Sequence, residues 1–151
     1  MIPAPTKPII LDTNVCLDLF VFHDPRWASL LAALEDGSVQ AVTRADCREE
    51  YLAVLHYPHL PLDDSSRPQA QARFDALIRV VAPTSRALQL PACTDRDDQK
   101  FLEVARDAGA AILVSKDKAV LKLARRTARD GLFRIMTPEA WVKLAAGGTL
   151  E

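Results

Sequence analysis

Four acidic residues stand where the chain changes character. They are Asp12 in Leu11-Asp12-Thr13-Asn14, Glu50 in Glu49-Glu50-Tyr51-Leu52, Asp98 in Asp97-Asp98-Gln99-Lys100 and Asp117 in Ser115-Lys116-Asp117-Lys118. Each follows or opens an expected secondary-structure element. Carboxylates this far apart in sequence meet only if the fold gathers them, and once gathered they repel. At an effective dielectric of 20, two like charges 4 Å apart cost about 4 kcal/mol. A cluster of three or four is therefore partly protonated, or it holds a divalent cation.

The elements that must position these acids can be read from hydrophobic periodicity. Pro8-Ile9-Ile10-Leu11 is a short apolar run that ends at Asp12, as a buried strand ends in a loop. Ala111-Ile112-Leu113-Val114-Ser115 does the same before Asp117, and Val39–Thr43, Val80-Val81 and Phe133–Met136 read as further strands. Helices are expected from Val15 to about Phe22, and from Pro25, capped by Asp24, to about Glu35. Others follow from Arg44 or Asp46 to Leu55, from Gln69 to Ile78, from Asp98 to Gly109, from Lys118 to Arg129 and from Pro138 to about Ala145. Strands apolar on both faces and alternating with helices predict an α/β fold. Its expected form is three α/β/α layers around a central, mostly parallel sheet of four to five strands. With no repeat or linker, residues 1–151 read as one domain whose ends, 1–7 and 146–151, are frayed.

In such a sheet, sites form beyond the carboxyl ends of the strands, near the point where strand order reverses. Asp12 and Asp117 each stand directly after a strand. Glu50 and Asp98 are expected in the first turns of helices that start on the same edge. Taken singly, each acid has a plainer reading: Asp12 as a helix cap, Asp98 as a partner of a helix dipole, Glu50 as a solvated helix residue. Only the set carries a site.

Composition narrows the field. Hydrophobic residues at 49% and charged residues at 26% are those of a soluble globular protein, and no apolar run is long enough to span a membrane. The first eight residues lack the features of a secretory signal. Cys16, Cys47 and Cys93 are odd in number and far apart, so they read as reduced, partly buried thiols of a cytoplasmic protein. The net charge of −1 hides an asymmetry. Residues 1–75 hold 6 Lys/Arg against 11 Asp/Glu, and residues 76–151 hold 13 against 9. A basic second half hints at a polyanionic partner.

The four acids, in this order and context, resemble the PIN-domain family over nearly the full chain. Ile9-Ile10-Leu11-Asp12-Thr13-Asn14 looks like its opening strand and first metal-binding acid, and Glu50 matches the second acidic position. Asp98 with Phe101, Leu102 and Ala105 is similar to the third motif, and Leu113-Val114-Ser115-Lys116-Asp117 to the fourth. The stretch from Cys93 to Asp98, with Thr137-Pro138-Glu139, resembles the toxins of bacterial toxin–antitoxin pairs. The resemblance implies a Mg²⁺- or Mn²⁺-dependent endoribonuclease that cleaves RNA with a metal-activated water. It also implies a cognate antitoxin as partner; the apolar Leu17, Leu19, Phe20 and Val21 offer, as the minority reading beside core, a homodimer or antitoxin-binding surface. The chain departs from the family where Ser115-Lys116 stands before the fourth acid, in place of the frequent Thr. Glu49, Asp95 and Asp97 leave the ligand set open.

On this reading Asp12, Asp98 and Asp117 supply hard oxygens, and Glu50 completes the shell or orients the attacking water. Thr13, Asn14 and Ser115 would position substrate or a carboxylate. Lys118, Lys122, Arg125 and Arg129 recur as one helical stripe beginning beside Asp117 and, with Lys116, Arg126 and Arg134, offer a track for a phosphate backbone. A solvated helix face is the bland equivalent. His56 and His59 have no third zinc ligand near them in sequence, and Trp27, Trp141, Phe101 and the apolar run Leu17 to Val21 read as core.

Two other classes compete. A phosphatase or phosphotransferase could use Asp12 as nucleophile, but a dehalogenase-like enzyme wants a second acid where Asn14 stands. A non-catalytic module, RNA-binding or receiver-like, is the other. A receiver needs a paired acidic start, which Ile9-Ile10-Leu11 does not provide.

Overall fold

A computed structural model describes residues 7–147. Five strands form one sheet: β1 (Ile9–Leu11), β2 (Ala41–Thr43), β3 (Ile78–Val80), β4 (Ile112–Val114) and β5 (Arg134–Met136). Their order is β3-β2-β1-β4-β5 and every neighbouring pair is parallel. Between them run α1 (Thr13–Phe20), α2 (Ala28–Asp36), α3 (Ala45–Val54), α4 (Ser66–Leu77), α5 (Gln99–Asp107), α6 (Lys118–Leu121), α7 (Ala124–Arg129) and α8 (Pro138–Ala146). Short 3-10 turns at Pro25–Trp27 and Arg96–Asp98 lead into α2 and α5.

The pleat sorts each strand's side chains between two cores. Ile9 and Leu11 of β1, Ile112 and Val114 of β4 and Met136 of β5 face the cluster containing α1, α2, α4 and Trp141 of α8. Ile10, Leu113 and Ile135 face the opposite cluster, where α5 contributes Phe101, Leu102, Val104 and Ala105, and α6 contributes Val120. A strand buried on both faces has no polar positions to alternate with, so its sequence is a continuous apolar run. The three-layer arrangement follows.

Helix ends match their local sequence. Asp24 caps the turn at Pro25, accepting from the Arg26 N–H at 3.0 Å. Thr137 caps α8 ahead of Pro138. Gly37 ends α2 at φ +81°, a left-handed position that other residues adopt only with strain. Trp27, Trp141, Phe101 and the run Leu17 to Val21 are buried, as the sequence reading expects, and the three cysteines are buried and unpaired.

Three aromatic rings tie α1, which Asp12 caps, and α3, which carries Glu50, to α4. Tyr51 of α3 stacks on Phe74 of α4 with centroids 4.4 Å apart, and Phe20 of α1 meets both edge-on. The Tyr51 hydroxyl donates to the Ala70 carbonyl at 3.0 Å, so its one polar atom is satisfied inside the core. This cluster presses α1 against α3.

Two expectations need correction. The single helix expected from Lys118 to Arg129 is two, parted at Lys122-Leu123, where the Leu123 N–H bonds to the Val120 carbonyl at 3.0 Å. Leu121 and Leu123 both pack on the second core, and residues two apart cannot share one face of a straight helix. Glu50 is the sixth residue of α3, in its second turn and not its first. Of the ends read as frayed, 1–6 and 148–151 lie outside the described residues, while Ala146 closes α8.

Candidate metal centre at the sheet edge

Strand order reverses between the central strand β1 and its neighbour β4, where the chain leaves in opposite directions across the sheet. Asp12 and Asp117 follow these two strands. Asp12 caps α1: its Oδ1 accepts from the Val15 N–H at 3.1 Å, while its Oδ2 accepts from the Ser115 hydroxyl. Ser115 is fully buried, and its Oγ also accepts from the Asp117 N–H at 3.0 Å. Asp117 in turn caps α6, accepting from the Ala119 N–H at 2.8 Å. Two helix caps are thus joined through one serine hydroxyl.

The third segment is the 3-10 turn before α5. It brings Asp98 to Asp117, and oxygens of Asp95, Asp98 and Asp117 lie within 4.8 Å of one another. Asp98 Oδ2 is buried and has no hydrogen-bond partner among the described residues. An orphaned, buried carboxylate oxygen is costly unless a proton or a cation meets it. Burial first, and then the neighbouring Asp117 carboxylate, push Asp98 up to about 8. Asp12 is also raised, by its burial above all, against the pull of hydrogen bonds from Ser115, Val15 and Lys116. All the oxygens here are hard donors, which fits Mg²⁺ or Mn²⁺ and not a softer ion.

Glu50 stands apart from this triad. Its Oε2 accepts from the Thr13 hydroxyl, and its Oε1 pairs with Lys100 Nζ at 2.8 Å. Lys100 also donates to the Asp97 carbonyl, so α1 and α5 both meet α3 at the Glu50 carboxylate, and the ammonium ties it to the turn before α5. Asn14 is exposed on the first turn of α1. Lys116 turns away from the acids to pair with Asp18 at 2.7 Å, and Asp18, buried in α1, also accepts from Trp27 Nε1 at 3.1 Å. Lys118, Lys122 and Arg125 are exposed without an acidic partner among the described residues, whereas Arg129 pairs with Asp130 at 3.2 Å. His56 and His59 are exposed and belong to no metal-ligand cluster among the described residues.

Sequence reasoning left Asp95 as an open substitute and overlooked Lys100 and Asp18. Asp95 carries a local signal, since its side chain caps the 3-10 turn by accepting from the Asp97 N–H at 3.0 Å. The Glu50–Lys100 pair spans 50 positions and the Asp18–Lys116 pair 98, so neither leaves a local trace.

Comparison with curated proteins gives no match. A family profile described as "PIN domain" matches residues 8–119, from the start of β1 through the loop that carries Asp117. PIN domains have a nuclease-type fold and usually depend on a divalent metal held by acidic residues. The parallel five-stranded sheet and the acids gathered at its switch point agree with that profile, and the chain belongs to the PIN-domain family.

Proposed function

We propose that the protein is a Mg²⁺- or Mn²⁺-dependent endoribonuclease. The observation that carries this reading is the meeting of Asp95, Asp98 and Asp117 around an orphaned Asp98 oxygen, beside Asp12. Asp98 and Asp117 are the principal ligands, with Asp95 at the open side. Asp12 is held by Ser115 so that its charge faces theirs. The bound ion supplies an acidified water and offsets charge on the scissile phosphate.

The remaining residues bind and orient. Ser115 fixes Asp12 and Asp117 relative to each other, and Thr13 and Glu50 fix the first turn of α1 against α3. Asn14 offers an exposed amide to a phosphate or base. Lys118, Lys122 and Arg125, with Arg129, supply the positive surface along which an RNA backbone approaches. The toxin role, with a cognate antitoxin covering the site or its rim, extends the same reading, as does a homodimer.

An Asp12 nucleophile, the phosphotransferase alternative, is less well served. Asp12 is only 5% exposed, and both its oxygens accept hydrogen bonds from inside the chain. The test is cleavage of structured and unstructured RNA by the pure protein with Mg²⁺, with Mn²⁺ and with chelator. Asp12→Asn and Asp117→Asn are expected to abolish metal-dependent cuts. Cleavage that survives chelation, or activity retained in both variants, rejects the proposal.

A further inference from the structure

The acidic pocket already contains one cation of its own. Lys100 enters from α5, two residues beyond Asp98, and its ammonium is shared between the Glu50 carboxylate at 2.8 Å and the Asp97 carbonyl. Its side chain is only 18% exposed, and the Phe101 ring lies 5.3 Å from the nitrogen. The partners of Glu50 are thereby complete: the Thr13 hydroxyl on one oxygen and Lys100 on the other. By contrast, Asp98 Oδ2 has no donor among the described residues. Glu50 is thus neutralised from within, and Asp98 is not.

We infer that Lys100 is a resident counter-ion for the Glu50 half of the pocket, so that the chain takes one divalent ion, at Asp95, Asp98 and Asp117, where an unpaired Glu50 would recruit a second. The inference rests on the metal site proposed above and assigns Glu50 and Lys100 to positioning. Remove the ammonium, and Glu50, the Thr13 hydroxyl and the Asp97 carbonyl become a set of hard oxygens facing one another, suited to Mg²⁺ or Mn²⁺. Lys100 also restrains α5 against α3, holding Asp98 at its depth in the pocket.

Mn²⁺ binding to the chelator-stripped full chain, counted by calorimetry and by the paramagnetic signal of free Mn²⁺, tests this without reference to activity. The wild-type protein is expected to bind one ion per chain. Lys100→Met and Lys100→Gln are expected to bind two, Lys100→Arg one, and the double variant Lys100→Met with Glu50→Gln again one. Circular dichroism and a melting curve establish that each variant is folded. Two ions in the wild-type protein overturn the inference, and so does an unchanged count in both neutral variants that fold. A wild-type chain that binds no Mn²⁺ overturns the metal site itself, and this inference with it.

Discussion

Ser115 donates its hydroxyl to Asp12 across 103 positions of sequence, and the same oxygen accepts the Asp117 N–H at 3.0 Å. Ser115 and Asp12 are both buried, so the Asp12 oxygen has little access to water as a substitute, and the Asp117 N–H is partly buried. Ser115→Ala leaves a buried carboxylate oxygen and a backbone N–H unsatisfied, which costs roughly 1–3 kcal/mol for each group fully stranded. The expected result in chemical denaturation is a loss of about 2 kcal/mol or more with an unchanged m-value. A Ser115→Ala protein as stable as wild type shows that Asp12 and Asp117 do not depend on the bridge.

Asp98 sets a second expectation. Its orphaned oxygen is costly in the metal-free protein, and on the proposed reading a bound ion would satisfy it. At a free Mn²⁺ concentration 100 times Kd, an ion that binds only the folded state stabilises it by about 2.7 kcal/mol. Asp98→Asn is expected to melt no lower than wild type under chelation and to lose most of the Mn²⁺-induced rise. Should the variant keep the full rise, Asp98 is not a ligand.

The same residue makes stability depend on pH. Asp98 titrates near 4 when unfolded and, through burial and the neighbouring Asp117, at about 8 when folded. The folded state therefore binds the extra proton, and its contribution to stability is complete below about pH 4 and disappears as pH rises through about 8. Chelated protein is expected to lose this contribution between pH 5 and 8.5, and Mn²⁺ to offset the loss increasingly across that range. Melting curves at fixed ionic strength for wild type and Asp98→Asn isolate the effect. A wild-type decline no steeper than that of Asp98→Asn counts against it.

The basic surface gives a test on RNA. Lys122 and Arg125 are exposed and lack acidic partners among the described residues, so both are free to meet phosphates. If each neutralises one phosphate of a single strand, replacing both with Glu lowers the slope of log K against log salt by about 1.4. Affinity should fall with it. Lys116→Met, in contrast, removes the partner of buried Asp18 and is expected to lower stability more than RNA affinity. Unchanged RNA affinity in Lys122→Glu/Arg125→Glu identifies these residues as ordinary solvated surface.

Much of the architecture was legible from a simple pattern. Short runs such as Ile9-Ile10-Leu11 and Ile112-Leu113-Val114 are apolar throughout because both their faces are covered, and each ends at an acid. That placed Asp12 and Asp117 on one edge before any coordinates. The β3 strand was harder to bound, because only Ile78 of Ile78–Val80 is buried and α4 runs straight into it. The break at Lys122-Leu123 escaped notice because cationic periodicity continues across it while the buried positions do not. Charge pairing was the least visible layer. Glu50 and Lys100 meet only through the packing of α3 against α5, and which acid faces an ammonium is a tertiary fact.

Leu11 and Val114 are register partners, and the Asp12 N–H continues the ladder to the Val114 carbonyl at 3.1 Å. The two loops bearing Asp12 and Asp117 therefore hang from adjacent rungs whose separation is the fixed repeat of a β-sheet, about 4.8 Å. Movement of an outer helix cannot stretch that gauge. The spacing between the two acid-bearing loops is accordingly a central dimension that hydrogen-bond geometry has already chosen.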